Sequence, residues 1–404
     1  MSFKDDYGGA FIGAKRLHHA LRNRDVDSTM LVRRKVSDEP SILQYKAKTR
    51  LHQEKFNKWV ASKMPEWREA LPGTLSFNLR YTGVHQIINN SDADCVIMHW
   101  IGHDTISIKE IGLIKKPIIW RLADMWAFDG CRHYCSEEEH REVDSLSEKK
   151  GSINNLIWKR KKRHWQTSRF NIVCGSDWLA NKAKRSLLFR NSNVLTIPSS
   201  LDTEIFRPIL QRRVITAKDS NSCSILFGAH CALSDKRKGF DLLVESLVEL
   251  RSMNPRLKFD LRVFGHSKAE TLYVRGIKFE CLGFIKCETE MAKIYNRSDL
   301  FVIPSRADNL PFTAMESLSC GKPVVGFGVG GIPEIIDHKK NGYIAPPFDC
   351  VEFARGINWI YKKLISDGSY FNVKARKKAT DKYSFDAQAQ SYIKLIKAIT
   401  QGNS

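Results

Sequence analysis

Short apolar runs alternate with longer segments whose apolar positions recur every three or four residues. The segments at 28–32, 95–100, 117–122, 170–174, 194–198, 224–228, 259–265, 277–282, 301–303 and 323–327 read as strands, those at 95–100 and 301–303 as buried ones. Helical spacing appears at 10–21, where Ala14, Leu17 and Leu21 share a face, and in the helix opened by Lys238-Gly239-Phe240-Asp241, with Leu242, Leu243, Leu247 and Leu250 inward. Further helices are expected at 44–64 (long and basic), 290–297, 349–365 and 385–399, with a less regular insertion at 65–91. Strands alternating with helices predict parallel sheets covered on both faces. No tandem repeat is evident. The opening residues 1–7, MSFKDDY, are too polar for a core strand, so the expectation is a native start upstream of Met1 that carries the first strand.

The stretch 301–334 organises the chain. A buried strand feeds a polar loop (305–309), and a helix opens at Pro311, where proline's missing N–H costs nothing. In a parallel sheet such a loop lies at the carboxyl ends of the strands, where ligands bind. The helix amino terminus offers backbone N–H groups backed by a positive dipole end, so the geometry predicts an anion there. Asp308 on the loop and Glu316 inside the helix do not serve an anion; they accept hydrogen bonds from hydroxyls such as those of a sugar or ribose. Read alone, they are also an ordinary loop cap and a helix acid.

These residues resemble the carboxyl-terminal domain of retaining GT-B glycosyltransferases of family four. The shared elements are Asp308 and Glu316, then Cys320-Gly321-Lys322-Pro323-Val324-Val325, then Gly330-Gly331-Ile332-Pro333-Glu334. The first acid is usually Glu in that family. Ala123-Asp124-Met125-Trp126-Ala127-Phe128-Asp129-Gly130-Cys131 looks like a segment of the exopolysaccharide branch, in which His stands where Ala123 stands here. Residues 197–208 resemble the family's interdomain linker, with Ser199-Ser200 in place of Asn-Gly.

The resemblance implies two doubly wound Rossmann-like domains facing a cleft: 1–200 on the acceptor side, 201–384 binding the nucleotide sugar, and 385–404 closing back on the first. It implies glycosyl transfer from a nucleotide-diphosphate sugar to a hydroxyl of a glycan or lipid-linked acceptor, with retention and in surface polysaccharide synthesis. Lys238 would contact the diphosphate. The partner arginine of the family falls on Ala229, leaving Lys236 or Arg237 to supply that charge. Asp308 would hold donor sugar hydroxyls, and Glu316 the ribose. Backbone N–H groups of the loop Asn309, Leu310, Pro311 and Phe312, where Pro311 has none to give, would hold the leaving diphosphate, which itself takes the acceptor's proton. Phe284 marks the nucleobase loop. Gly8 and Gly9 would face the donor, and His103 is a donor-side candidate beside His99. Asp124 would bind acceptor hydroxyls. No cofactor or metal is implied, because basic residues replace a divalent cation.

Composition adds limits. The chain has 404 residues, enough for two domains, and no apolar run reaches the roughly 18–20 residues of a membrane helix. With no apolar signal region at the start, a cytoplasmic location is expected, peripheral at the membrane's inner face. Net charge is +21, which favours anionic partners. The most basic run, 158–165, is flanked by Trp158 and Trp165; it suits an anionic membrane surface, or else a solvated helix face. Nucleic acid is not an expected partner; salt-steep binding to it without nucleotide-sugar binding would say otherwise. Asp92-Ala93-Asp94 mimics a metal motif but precedes its strand, at the sheet's ligand-free end. Cys131, His133, Cys135 and His140 are zinc-type residues at a spacing that matches no regular zinc module. A family member without activity, serving in assembly, and a nucleotide-sugar epimerase on the same fold are the alternatives.

Overall fold

A computed structural model describes residues 1–5, 8–47, 75–134, 152–209 and 222–401. The chain forms two compact units, Met1–Ile197 with the chain from Ala389 onward, and Pro198–Gln388.

The first unit contains β1 (Ser2–Lys4), β2 (Met30–Arg34) and β3 (Ile42–Gln44) in one parallel sheet, ordered β1-β2-β3. A second parallel sheet holds β4 (Val96–Met98), β5 (Ile118–Leu122), β6 (Phe170–Cys174) and β7 (Asn193–Thr196), in that order. The His99 N–H donates to the Met1 carbonyl at 2.9 Å and the Phe3 N–H to the Trp100 carbonyl at 3.3 Å. These bonds lay β1 along the chain that leaves β4, so the strands read β3-β2-β1-β4-β5-β6-β7. The strand order reverses between β1 and β4, which makes that edge the switch point where ligands settle.

The second unit carries β8 (Ser222–Gly228), β9 (Lys258–Phe264), β10 (Ala269–Val274), β11 (Ile277–Leu282), β12 (Leu300–Ile303), β13 (Val324–Phe327) and β14 (Gly342–Ala345). Their order is β10-β11-β9-β8-β12-β13-β14. All pairs are parallel except β10 with β11. Without the antiparallel edge strand β10 the order β11-β9-β8-β12-β13-β14 is the dinucleotide-fold pattern 3-2-1-4-5-6, with its switch point between β8 and β12. Strand β12 is buried along its whole length, and its LFVI composition reflects burial on both faces.

The closing helix Phe385–Gln401 starts in the second unit and ends in the first. There Tyr392 and Leu395 pack with Leu17, Leu21, Ile119, Val173 and Ile197. No helix among the described residues is long and apolar enough to cross a membrane.

The start of the chain departs from the sequence reading. Ser2–Lys4 is a strand despite its polar look, because Met1 and Ser2 are buried and Asp5 is satisfied by the Val36 and Ser37 N–H groups at 2.8 and 3.0 Å. The expected helix at 44–64 begins in β3, and its remainder from 48 onward lies outside the described residues. Val84–Asn90, read as irregular, is a helix whose first turn is held by Glu110. Pro311 is the residue before the helix Phe312–Ser319, not its first residue.

Candidate functional site

In the second unit the loops leaving β8 and β12 are laced together at the switch point. The turn Lys236–Lys238 is capped by Asp235, whose side chain accepts the Arg237 N–H at 3.0 Å. Gly239 follows with φ +70, and a Cβ there would strike the Pro304 carbonyl oxygen, so glycine lets the two loops touch. Across this contact Lys238 Nζ lies 2.6 Å from Asp308 Oδ2. Arg237 adds a longer-range charge, with Nη1 3.7 Å from the same oxygen, and donates to the Ala307 carbonyl at 3.0 Å. Both members of the close pair are largely buried. Burial lowers the Lys238 ammonium's pKa, with Arg237 adding to this and Asp308 opposing it. Burial raises the Asp308 carboxyl, but Lys238 and Arg237 outweigh it and hold the group below the usual carboxylate range.

An ammonium has three donors. One of Lys238's is engaged by Asp308, which leaves capacity for phosphate oxygens. The helix Phe312–Ser319 opens at Pro311 with no side-chain cap, so its amino end can meet an anion as the sequence reading requires. Asn309, Leu310 and Pro311 form the buried wall between Asp308 and that helix end. Of the two basic residues offered in place of the family arginine, Arg237 reaches the site. Lys236 is exposed and gives its carbonyl to Arg306.

Glu316 is buried and accepts the Tyr295 hydroxyl at 3.1 Å. Phe284 is exposed beyond β11, with its ring 6.0 Å from that of His230 on the loop after β8. Two residues were missed in the sequence reading. His230 carries no motif. Arg306 binds both carboxylate oxygens of Asp241 at 2.8 and 2.5 Å and ties its own N–H to the Arg237 carbonyl at 2.8 Å. Its signal was a lone arginine in a loop, which sequence alone cannot aim.

In the first unit the chain leaving β1 and the chain leaving β4 meet in an aromatic cluster. Gly8 (φ +116) and Gly9 open the helix Gly9–Arg22, and the Phe11 and Ile12 N–H groups return to the Gly8 carbonyl at 2.9 and 3.0 Å. Trp100 meets Phe3, Phe11 and His103 edge-on at 6.0, 5.5 and 4.9 Å between centroids. Gly8, Gly9 and His103 are therefore brought to one edge. His99 lies in the same turn, and burial pushes its imidazole well below the ordinary range.

Asp124 leaves β5 but turns inward. Its Oδ1 accepts the Trp126 N–H at 3.0 Å; its Oδ2 accepts the Trp100 indole N–H at 2.9 Å and faces His133 Nδ1 at 2.6 Å. The expectation of Asp124 as a hydroxyl binder therefore meets a carboxylate already held by three groups of its own unit. Among the zinc-type residues, His133 is committed to Asp124, and Cys131 to Asn154, its Sγ 3.3 Å from Oδ1. Cys135 and His140 lie outside the described residues. No metal-holding cluster occurs among the described residues.

The basic run lies on the helix Ile153–Trp165 and is split by it. Lys161 is fully buried, donating to the carbonyls of Trp126, Asp129 and Gly130, the latter two at 2.9 and 2.6 Å, with Nζ 3.7 Å over the Trp126 ring. Trp165 is also buried, its indole N–H on the Ile108 carbonyl at 2.8 Å. Leu156, Lys159, Lys162 and Arg163 face outward. The pattern is an amphipathic helix with an internal lysine rather than a uniformly solvated run.

Residues 224–363, within the second unit, match the family described as Glycosyl transferases group 1. An uncharacterized glycosyltransferase of Methanocaldococcus jannaschii is 31% identical over 169 residues, 40% of this chain and 42% of that protein. The amylovoran biosynthesis glycosyltransferase AmsK of Erwinia amylovora is 26% identical over 129 residues, 30% of this chain and 32% of its own. The chain thus spans less than half the length of these relatives. Among solved structures, sucrose-phosphate synthase from Thermosynechococcus elongatus superposes with a TM-score of 0.66 at 15% identity, covering 99% of both chains. HepE of Anabaena, in complex with UDP and glucose, gives 0.60 at 14% identity, covering 98% of both. The fold is GT-B, with two Rossmann-like units.

Proposed function

We propose that this chain transfers a glycosyl unit from a nucleoside-diphosphate sugar to a hydroxyl, with retention of configuration. The observation that carries the reading is the Lys238–Asp308 pair at the β8/β12 switch point, beside an uncapped helix end and inside the matched domain. Lys238 and Arg237 neutralise the charge that builds on the leaving diphosphate, the work a divalent cation does elsewhere. The N–H groups at the start of the helix Phe312–Ser319, with that of Leu310, add to it, while the Asn309 N–H steadies the Asp308 carboxylate. Asp308 orients sugar hydroxyls through its second oxygen, and Glu316 holds the ribose once its Tyr295 bond gives way. The diphosphate oxygen then takes the acceptor's proton on the face it leaves, so no second carboxylate nucleophile is needed. Phe284 lies beside the base. In the first unit Gly8, Gly9 and His103 are the groups offered to a sugar, and Asp124 stands behind them, holding Trp100 and facing His133.

The nucleotide is assigned as uridine diphosphate because HepE is described bound to UDP and to UDP-glucose. A role in surface polysaccharide synthesis draws on the relative named for amylovoran synthesis. A lipid-linked acceptor accords with the outward face of the helix Ile153–Trp165, where Leu156 lies beside Lys159, Lys162 and Arg163 and suits an anionic bilayer surface.

The test is release of UDP from a panel of UDP-sugars, with and without lipid-linked acceptors. Turnover that disappears in Lys238→Ala and Glu316→Ala is expected. Conversion of donor to an epimer without acceptor, or no UDP binding by calorimetry, refutes the reading.

A further inference from the structure

Ser76, His133 and Asp124 are far apart in sequence and form one chain of contacts in the first unit. Ser76 Oγ lies 2.8 Å from His133 Nε2, and His133 Nδ1 lies 2.6 Å from Asp124 Oδ2. The order is that of a serine nucleophile, an imidazole and an orienting carboxylate. The surroundings rule out a nucleophile. Ser76 is fully buried, and its Oγ sits 2.5 Å from where a Cβ on Gly102 would be, so no acyl group has room to reach it. Its backbone is also fixed, with the N–H on the Cys131 carbonyl at 2.9 Å and the carbonyl accepting the Trp126 indole N–H at 2.7 Å.

The far end of the chain shows what the arrangement does. Ser76 Oγ accepts the backbone N–H of His103 at 3.1 Å. His103 and Asp104 both have left-handed backbones, with φ +54 and +52, although neither is glycine. Each such residue costs roughly 1 kcal/mol and persists only where its surroundings impose it. A His133 tautomer with its proton on Nδ1 gives the links one polarity: Nδ1–H donates to the carboxylate, the serine hydroxyl donates to Nε2, and the hydroxyl oxygen accepts from the His103 N–H, while the Trp100 indole nitrogen lies 3.2 Å from Nδ1. Trp100, which touches the His103 ring, stacks on His133 at 5.2 Å and donates to Asp124, so the two sides of the His103 turn are tied to the same pair.

We propose that Asp124, His133 and Ser76 are positioning residues: a buried relay that holds the His103 turn in its left-handed conformation at the β1/β4 switch point. His103 is the group that meets substrate, and the relay acts only through it. This places Asp124 behind the site rather than on the acceptor, and it gives His133, which carries no role in the proposed chemistry, a function. The functional consequence rests on the glycosyl-transfer reading; the structural one does not.

The test uses the full chain with Ser76→Ala and His133→Gln. Proton NMR of the wild type is expected to show a resonance downfield of the amide envelope from the His133–Asp124 hydrogen bond, moved in S76A and lost in H133Q. Its absence from the wild type overturns the relay whether or not the variants fold. A crystal structure of S76A is expected to show His103 leaving the left-handed region; an unchanged turn overturns the proposal. In turnover assays S76A is expected to lower kcat about tenfold, the worth of one hydrogen bond, with UDP affinity within about twofold of wild type, because the diphosphate site lies in the second unit. Equal loss of UDP affinity and of kcat marks general damage and counts against it. Absence of turnover in the wild type defeats the glycosyl-transfer reading and leaves the NMR and crystallographic arms to decide the relay.

Discussion

Lys238 and Asp308 stand 70 residues apart in the chain, and their charged atoms meet at 2.6 Å where the loops after β8 and β12 cross. The pair joins the two strands between which the sheet reverses its order. Its position makes it both a structural contact and a prepared charge at the place where a diphosphate would arrive.

Removing one partner leaves the other charge buried and uncompensated, which typically costs about 3–5 kcal/mol. Lys238→Ala is therefore expected to lower the denaturant midpoint markedly and to abolish UDP binding. Lys238→Ala with Asp308→Ala is expected to recover part of the stability and none of the binding. Urea titration and calorimetry on both variants check this; additive stability losses would show that the pair is not coupled.

Gly239 is the residue that lets the lysine turn approach β12's loop. An alanine there meets the Pro304 carbonyl in a backbone region that L-residues avoid. Gly239→Ala is expected to destabilise by roughly 1–3 kcal/mol and to weaken UDP binding beyond that loss, because Lys238 moves with it. An alanine variant with wild-type affinity would break the link between the turn and the site.

Lys161 gives a pH prediction. Burial lowers its ammonium pKa from 10.5 to about 7, with Asp129 opposing the shift. Below about 7 both folded and unfolded states carry the proton, and the cost of the buried charge is borne in full. Between about 7 and the unfolded value the unfolded chain binds more protons, so folding stability contributed by this site rises with pH. Stability measured from pH 7 to 9.5 is expected to climb in the wild type relative to Lys161→Met. Parallel curves would mean that the three carbonyls and the Trp126 ring keep the ammonium charged throughout.

The outward face of the helix Ile153–Trp165 carries the membrane prediction. Each lysine or arginine near an anionic surface is worth about 1 kcal/mol. Replacing Lys159, Lys162 and Arg163 by Glu is expected to abolish co-sedimentation with vesicles rich in phosphatidylglycerol while the melting temperature stays put. Undiminished sedimentation would leave this face without that role.

The candidate site rests largely on local signals in the chain. The acids of 301–334, the lysine of the KG turn and the uncapped helix are local signals, carried by residue type and spacing within one or two elements. The strand at 170–174 stands where its apolar run places it, because burial on both faces leaves a nearly unbroken hydrophobic signature; the strand at 277–282 alternates buried and exposed residues, the signature of one buried face. Strand β1 was not legible: three residues hold too little pattern, and Asp5 looks solvated until Val36 and Ser37 are seen to bind it.

What only the tertiary structure decided is pairing. Sequence presents Lys161 as one cation in a basic run; folding buries it under three carbonyls while its neighbours stay in water. Sequence presents Asp124 as an acid at a strand's ligand end; folding turns it onto Trp100 and His133. Chain order specifies which groups a strand or helix carries and which face they share, since those periodicities are local. Which distant group each one meets depends on how the sheets are ordered, and that is settled only when the whole core closes.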